Sequence, residues 1–359
     1  MYQYTDRRCR KCLLQEDPSC GLTLDADGLC PLCRSYRPVE RDWPALGAAF
    51  AARIESLRGQ GGEFEAALMM SGGKDSAYLA SLLRKRHGLR LLGLTIDNGF
   101  EYQETFDQAR KLARNLDIPL EVLRPDPAAS RALYRFLVTS PGLMERDFGQ
   151  LCLFCGRFLL DTALAEAGRR GIGTVFVGYN PEQLFGMGQT LPIETDRLRI
   201  RQQEAIAARI GFLFRKAATL AETHPDKALL PAFSAQPDPA CNVVAPFLYL
   251  PYRPQEIMDV ARRETGWTPI LSFSPRHYLA SGCRLLKLMA ALARINAVPS
   301  YMDHEFASQV RSGDLDGETL RKYYSALEEQ PEFYADVLRE LGLSCSLETL
   351  AAGPPGRGR

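Results

Sequence analysis

The sequence predicts an α/β protein built on a doubly wound parallel sheet. Short apolar runs alternate with amphipathic helical stretches from about residue 65 onwards. A glycine-rich SGGKDS stands at 71–76, between the first apolar run and the first helix that follows it. Strands that alternate with helices favour a parallel sheet with helices on both faces.

The predicted elements follow one another in a regular order. The apolar residues of 42–57 recur at helical spacing, and GQGG at 59–62 ends that helix. The alternation then reads as strand 65–70, helix 76–86, strand 89–97, helix 102–116, strand 120–125, helix 157–170 and strand 174–180. Residues 245–264 add a strand-like run and a helix that starts at a proline.

Composition divides the chain into four predicted parts. Residues 1–40 contain too little periodic apolar sequence for a core of their own, so we expect a metal to stabilise them. The α/β domain spans 41–273 and includes a helical insertion at about 181–242. Residues 274–350 are predicted to be helical, and 351–359 are predicted to be a disordered tail.

The bulk composition favours an enzyme that acts on a small-molecule substrate. Lys and Arg total 44 against 43 Asp and Glu, so the chain as a whole is not suited to wrapping a polyanion such as tRNA. The sequence has no apolar run long enough for a membrane span and no secretion signal, so we predict a cytoplasmic protein without a membrane partner. Whether it forms a homodimer stays open.

The SGGKDS segment predicts a phosphate-binding loop. Gly72 and Gly73 allow the backbone to approach phosphate oxygens, and the amides of the loop and of the next helix point at the anion. Lys74 adds a cation, while Ser71 and Ser76 add hydroxyl donors. The spacing of GxxxxGK[ST] is missing, so transfer of a γ-phosphate fits poorly. The structural alternative is an ordinary glycine-rich turn.

The first cysteines are spaced as metal ligands. Cys9-x2-Cys12 and Cys30-x2-Cys33 are separated by 17 residues, which is typical of a four-thiolate zinc knuckle. Thiolates would fill every position around the ion, so the predicted Zn²⁺ is structural. Cys20 lies between the pairs and is interpreted as a spare thiol.

SGGKDS resembles the PP-loop of the ATP pyrophosphatase superfamily, which has a HUP-like fold and holds the pyrophosphate that leaves when ATP is split to AMP. The resemblance implies ATP and Mg²⁺ as cofactors and catalytic roles for Lys74 and Asp75. It implies that ATP is bound by Met70, Ser71, Gly72, Gly73, Lys74, Asp75, Ser76, Asp97, Gly178 and Asn180. The GYN at 178–180 resembles the GHN or GEN of relatives, but the acid often found three positions beyond is Gln183 here.

A second CxxC, Cys152-x2-Cys155, stands just before a predicted helix and upstream of 174–180. In tRNA-thiolating relatives a CxxC at this place joins a later cysteine, here Cys283, and holds a [4Fe-4S] cluster. The resemblance implies catalytic roles for the three cysteines, with one iron left open to carry sulfide to an adenylated carbonyl. A second zinc ion, a redox-active dithiol and plain buried cysteines stay open as alternatives.

The order of knuckle, SGGKDS, second CxxC and GYN is similar to two families, the tRNA thiolation enzymes and the N-acetyl sugar amidotransferases. The segment HEFASQVRSGDLDGETLRKYY at 304–324 resembles the amidotransferases. In both, a carbonyl or amide oxygen attacks the α-phosphorus of ATP, and sulfide or ammonia then replaces that oxygen. The first chemistry needs a sulfide donor and the second a partner glutaminase.

We favour ATP-dependent insertion of sulfur into a small-molecule or nucleotide-sugar substrate. Amidation of an N-acetyl sugar and thiolation of tRNA are the nearer alternatives. A phosphoadenylylsulfate reductase is more distant, because its ECG motif is absent. An inactive nucleotide sensor is the non-enzymatic alternative.

Overall fold

Five parallel strands form one sheet at the centre of the molecule. The computed structural model describes residues 7–38, 40–60, 62–189, 197–229, 233, 241–271, 282–326 and 331–353. The strands are β1 (Ala66–Met69), β2 (Leu91–Ile96), β3 (Leu120–Leu123), β4 (Thr174–Phe176) and β5 (Asn242–Val244), in the spatial order β3-β2-β1-β4-β5. The strand order changes direction between β1 and β4, which confirms the predicted doubly wound sheet.

The inner strands are buried on both faces. In the register of the sheet, Leu68 of β1 lies between Gly93 of β2 and Phe176 of β4. All six residues of β2 are buried, as is typical of a parallel strand covered by helices on both sides. Such strands appear in a sequence as continuous apolar runs, which is why β1 and β2 were predicted within two residues of their bounds.

Helices surround the sheet and form the C-terminal part of the chain. The α-helices are Pro31–Ser35, Trp43–Leu57, Lys74–Ser81, Gln103–Leu116, Pro127–Thr139, Gln150–Arg169, Pro181–Gly186, Arg197–Thr223, Pro254–Thr265, Arg284–Ile295, Tyr301–Ser312, Gly317–Ala326, Pro331–Glu340 and Leu347–Ala352. A π-helical turn, Leu82–Arg86, continues the helix that follows β1. Every helix in the described ranges is too short or too polar to cross a bilayer.

Two helices correct the sequence prediction. Pro127–Thr139 was not predicted, although Asp126 caps it by accepting from the amide of Ala128. Gln150–Arg169 begins seven residues before the predicted start, because its N-cap is Gly149, whose lack of a side chain gives no capping signal. The second CxxC therefore lies inside the first two turns of this helix rather than before it.

The strand-like run expected from residue 245 also lies elsewhere. Strand β5 ends at Val244, and Pro246–Leu248 forms a 3₁₀ turn, since prolines cannot donate to a sheet ladder. Within the insertion, Arg197–Thr223 is the long helix that its sequence predicted, whereas 190–196, 230–232 and 234–240 lie outside the described residues. Of the predicted tail, 351 and 352 end a helix and 354–359 lie outside the described residues.

Candidate active site

The SGGKDS loop lies where an open parallel sheet binds its ligands. It follows the carboxyl end of β1, beside the carboxyl end of β4, at the point where the strand order reverses. Crevices at such a switch point are the usual ligand sites of doubly wound sheets. The helix after the loop begins at Lys74, and its N-cap residue Gly73 has no side chain to occupy the first amides. These amides suit an anion such as phosphate.

Gly72 gives the loop its shape. Its φ is +72°, a left-handed conformation, and a Cβ placed on it would collide with the carbonyl oxygen of Thr105. The indole Nε1 of Trp267 donates to the carbonyl oxygen of Gly72 at 3.1 Å. The loop is therefore held between the helix Gln103–Leu116 and the segment that follows Pro254–Thr265.

Replacing Gly72 by alanine is expected to destabilise the protein by about 2–4 kcal/mol, because left-handed strain of about 1–2 kcal/mol is added to the collision with Thr105. Gly171→Ala is the matched control: Gly171 also has a positive φ of +67°, but a Cβ there would meet nothing within 4 Å. Thermal unfolding of both variants measures the difference. Equal losses of melting temperature would show that the loop tolerates the side chain.

Lys74 is a buried cation at the start of the helix. Its Nζ lies 2.7 Å from Asp75 Oδ2 and 2.9 Å from the hydroxyl oxygen of Tyr252, and 17% of its side chain is exposed. Burial lowers the pKa of Lys74, but Asp75 and Tyr252 outweigh burial and the net pKa is raised. The ammonium is thus kept charged beside the candidate phosphate site.

Asp75 carries an oxygen suited to a cation. Oδ2 pairs with Lys74, whereas Oδ1 is buried and accepts no hydrogen bond from the part of the chain that the structure describes. Carboxylate oxygens are the ligands that Mg²⁺ prefers, and Mg²⁺ usually binds through one or two of them together with substrate phosphates. The unsatisfied oxygen therefore fits a magnesium ion that arrives with a nucleotide.

The GYN segment after β4 contacts the loop. A Cβ on Gly178 would lie 3.4 Å from the amide nitrogen of Ser76, so the glycine lets the two segments approach. Asn180 caps the helix Pro181–Gly186 with its side-chain oxygen, and its Nδ2 donates to Glu305 Oε1 at 2.6 Å. Gly178 and Asn180 therefore lie beside the loop, as the sequence predicted.

A cavity of about 390 Å³ opens from the loop. Its lining includes Met69, Tyr179, Trp267, Tyr301, Phe306, Gln183 and Gln309, together with the ionisable residues Lys74, Asp75, Glu101, Cys152 and Glu305. Within the described residues, Lys74 is the one Lys or Arg in this lining. The rest of the lining is largely aliphatic, so the cavity is mostly apolar, with amide and acidic side chains away from the phosphate loop.

Three of the ATP contacts implied by the resemblance, Met70, Gly72 and Asp97, lie outside this lining. The Met70 side chain is fully buried in the core, and Met69 faces the cavity instead. Asp97 Oδ2 lies 3.6 Å from Arg124 Nε, and Asp97 Oδ1 accepts from the amide of Gly99. We therefore expect Met69 to offer the apolar contact to a nucleotide base.

The second cysteine group lies at one end of the cavity. Cys152 lines it, and Cys155 follows one helical turn later. Asn98 Nδ2 lies 3.7 Å from Cys155 Sγ and 3.8 Å from Cys283 Sγ, so one amide contacts both sulfurs. The hydroxyl of Tyr134 is 3.1 Å from Cys155 Sγ. The structure thus gathers the three cysteines that the sequence grouped.

These thiols are neutral at physiological pH in the absence of a metal. Burial raises the pKa of Cys152, Cys155 and Cys283, to about 11 for Cys155. Among the described residues, the three sulfurs are not part of a group close enough to share one ion. In a [4Fe-4S] cluster each thiolate binds a different iron, so its sulfurs lie farther apart than around one ion.

The N-terminal cysteines do form a compact metal site. The four sulfurs of Cys9, Cys12, Cys30 and Cys33 all lie within 4.8 Å of one another. Cys9 Sγ is 3.6 Å from Cys33 Sγ, and Cys12 Sγ is 3.7 Å from Cys30 Sγ. Four bonds of about 2.3 Å in a tetrahedron place sulfurs about 3.8 Å apart, so the geometry fits a tetrahedral ion such as zinc.

The structure also adds residues that sequence reasoning missed. Glu101 lines the cavity, and burial together with the nearby Asp97 carboxylate raises its pKa to about 7. Glu305 comes from the helix Tyr301–Ser312 and lies in the segment 304–324 that resembles the amidotransferases, but that resemblance gave it no role at the loop. Tyr252 follows Pro251 in a loop, and its role as the partner of Lys74 depends on the tertiary fold.

Comparisons with known proteins place these features in context. No protein-family model matches the chain. An uncharacterised protein of Methanocaldococcus jannaschii is 21% identical over 119 residues, which are 33% of this chain and 43% of that protein. The chain thus matches less than half the length of this relative.

Three similar solved structures have TM-scores below 0.5. The U34-tRNA thiolase NcsA from Methanococcus maripaludis with its [4Fe-4S] cluster is 15% identical, with a TM-score of 0.37 over 91% of each chain. The NH3-dependent NAD synthetase of Campylobacter jejuni is 14% identical and gives 0.32 over 63% of this chain and 94% of its own. The NMN synthetase of Francisella tularensis is 12% identical and gives 0.31 over 81% and 99%.

Proposed function

We propose that this protein is an ATP pyrophosphatase of the PP-loop type, which adenylates a carbonyl or amide oxygen of its substrate. The observation that supports this most is the position of SGGKDS, at the switch point of a doubly wound sheet and open to one cavity. The helix amides and Lys74 would hold the pyrophosphate. The α-phosphorus would then face the cavity, where the substrate oxygen attacks it.

The chain offers ligands for the magnesium that accompanies ATP. Asp75 Oδ1 lacks a partner within the described residues, and Glu305 is held beside the loop by Asn180. A bound Mg²⁺ would neutralise phosphate charge there. Glu305 would supply the carboxylate that Gln183 cannot, and Gln183 itself lies 3.5 Å from Glu305 Oε2.

We further propose that sulfur replaces the adenylated oxygen. Cys152 lines the same cavity as Lys74, and Asn98 links the other two cysteines. These thiolates would hold a [4Fe-4S] cluster, which would bind sulfide from an external sulfide donor; AMP would leave as the new bond from sulfur to the activated carbon forms. Transfer of ammonia is the second candidate, because the segment at 304–324 resembles the amidotransferases and amidation needs no cluster.

The acceptor is proposed to be a small molecule with few negative charges. The cavity lining is mostly apolar and includes aromatic and amide side chains, and Lys74 is its one Lys or Arg in the described residues. Aromatic faces and amide side chains suit a sugar ring or a similar polar group, whereas a polyanion would need further cations. An N-acetyl sugar carries an amide oxygen of the required kind.

Product analysis tests the reaction class. Incubation with α-labelled ATP and a panel of N-acetyl sugars and nucleotide sugars, with sulfide or ammonium as nucleophile, is expected to yield AMP and pyrophosphate. Mass analysis of the acceptor then distinguishes sulfur from nitrogen. Formation of ADP and phosphate would contradict the PP-loop assignment.

A further inference from the structure

One helix joins the N-terminal cysteine site to the cavity. The helix Tyr301–Ser312 presents one face to the cavity, and this face consists of Tyr301, Met302, Glu305, Phe306 and Gln309. These positions recur at intervals of three and four residues, as expected for one side of a helix. Glu305 on this face accepts hydrogen bonds from the side-chain amides of Asn180 and Gln309, so it is the centre of a polar group at the cavity wall.

The other face of this helix belongs to the knuckle. Ala307 and Val310 pack in one apolar cluster with the four cysteines of the knuckle. A guanidinium nitrogen of Arg311 donates to Cys12 Sγ at 3.5 Å. Ala307 and Arg311 are four residues apart and so lie on one side of the helix. The metal ligands are therefore in direct contact with the back of the active-site helix.

Leu13 adds a second contact between the knuckle and the helix Tyr301–Ser312. It follows Cys12 with a φ of +62°, a left-handed conformation that is unfavourable for leucine. Its side chain packs in one cluster with Met302 and Phe306, which both line the cavity. A metal ion that binds Cys9 and Cys12 would fix this turn and hold Leu13 against the helix.

Charge supports the same coupling. Four thiolates around a divalent ion leave a net charge of minus two, and a cation that donates to a ligand sulfur compensates part of it. Neutral thiols in the metal-free site would attract Arg311 much less. Metal binding is therefore expected to strengthen the contact between Arg311 and Cys12.

We infer that the metal-loaded knuckle positions the helix Tyr301–Ser312 in the nucleotide cavity, with Arg311 as the positioning residue between Cys12 and Glu305. The N-terminal metal then affects the active site through the face of this helix that contacts the knuckle, in addition to stabilising residues 7–38. Because coupling between two sites is reciprocal, ATP would raise metal affinity by the factor by which metal raises ATP affinity. That second consequence rests on the proposed function.

The test compares the full chain with zinc, after removal of zinc by a chelator, and after zinc is restored. Hydrogen exchange of the amides in 301–312 is expected to quicken at least about tenfold without zinc and to recover with it. ATP affinity, measured by calorimetry, is expected to fall about tenfold and to recover. Arg311→Gln is expected to lower zinc affinity about 10–100-fold and to quicken exchange in 301–312 even when zinc is bound.

Arg339→Gln is the matched control, because Arg339 is exposed on the helix Pro331–Glu340 and pairs with Asp336. Unchanged exchange in 301–312 on zinc removal and in Arg311→Gln would overturn the inference. If zinc removal unfolds the whole chain, zinc-bound Arg311→Gln decides the question alone. Zinc-loaded protein that fails to bind ATP would contradict the proposed function, while the exchange measurements would still decide the role of the knuckle.

Discussion

Lys74→Met is expected to lower AMP formation by about a hundred- to a thousandfold, an effect similar to removal of a donor that stabilises transition-state charge. The Lys74 ammonium is the one Lys or Arg of the described cavity lining. Methionine keeps the length and apolar stem of lysine but removes the charge. The leaving pyrophosphate would then develop its charge without this partner.

Loss of stability has to be separated from loss of chemistry in this experiment. Removing Lys74 leaves the partly buried carboxylate of Asp75 without its partner, so the single variant is expected to lose stability as well. Lys74→Met combined with Asp75→Asn removes both charges and is expected to recover much of the melting temperature but not the activity. Lys322→Met is the surface control, since Lys322 is exposed and pairs with Glu318. Near-normal AMP formation by Lys74→Met would refute the role of Lys74.

The sheet was predictable because its signals are local. Buried parallel strands give apolar runs, and SGGKDS marks the turn between a strand and a helix, so β1, β2 and the loop followed from the sequence alone. Prediction was poorer where no capping residue marks a helix, as at Gly149. The strand expected from residue 245 ends at Val244 instead, because Pro246 cannot donate to a sheet ladder.

Only the part of the site that comes from short sequence motifs was predictable. Lys74, Asp75, Gly178 and Asn180 belong to short motifs at strand ends, and the structure brings them together. Glu305, Tyr252 and Trp267 come from distant segments of the chain, and no sequence motif indicated a role beside the loop for any of the three. Their proximity is set by the packing of helices, which a single sequence does not encode in any spacing.

The two cysteine groups differ in the same way, since local spacing predicted one group and not the other. The spacing of Cys9, Cys12, Cys30 and Cys33 predicted a compact site, because two CxxC pairs can surround one ion by themselves. The group near the cavity needs Cys283, which is 128 residues beyond Cys155 and was assigned by resemblance. Asn98 contacts both Cys155 and Cys283, so the structure brings together two cysteines whose spacing in the sequence does not predict proximity.

Anaerobic reconstitution with iron and sulfide is expected to yield a brown protein with about four irons per chain. Cys152→Ala, Cys155→Ala and Cys283→Ala are each expected to lose the colour and to lower sulfur transfer at least about a hundredfold, because even partners of metal ligands contribute 10–100-fold. The reason is geometric: Cys152 faces the cavity, while Asn98 donates to both other sulfurs and would stabilise their thiolate forms.

Cys20→Ala and Cys345→Ala are the matched controls for this series, because Cys152 is the cysteine of the described cavity lining and Cys155 and Cys283 are the cysteines whose sulfurs Asn98 contacts. Both are expected to keep the colour and the activity. Visible absorption and iron analysis measure the cluster, and separate zinc analysis measures the knuckle, which should stay loaded in all five variants. Zinc bound at Cys152, Cys155 and Cys283 would contradict the cluster, and a colourless protein that transfers ammonia to its acceptor would show that nitrogen is the atom transferred. In that case the phosphate loop would keep its proposed role, since adenylation precedes either nucleophile.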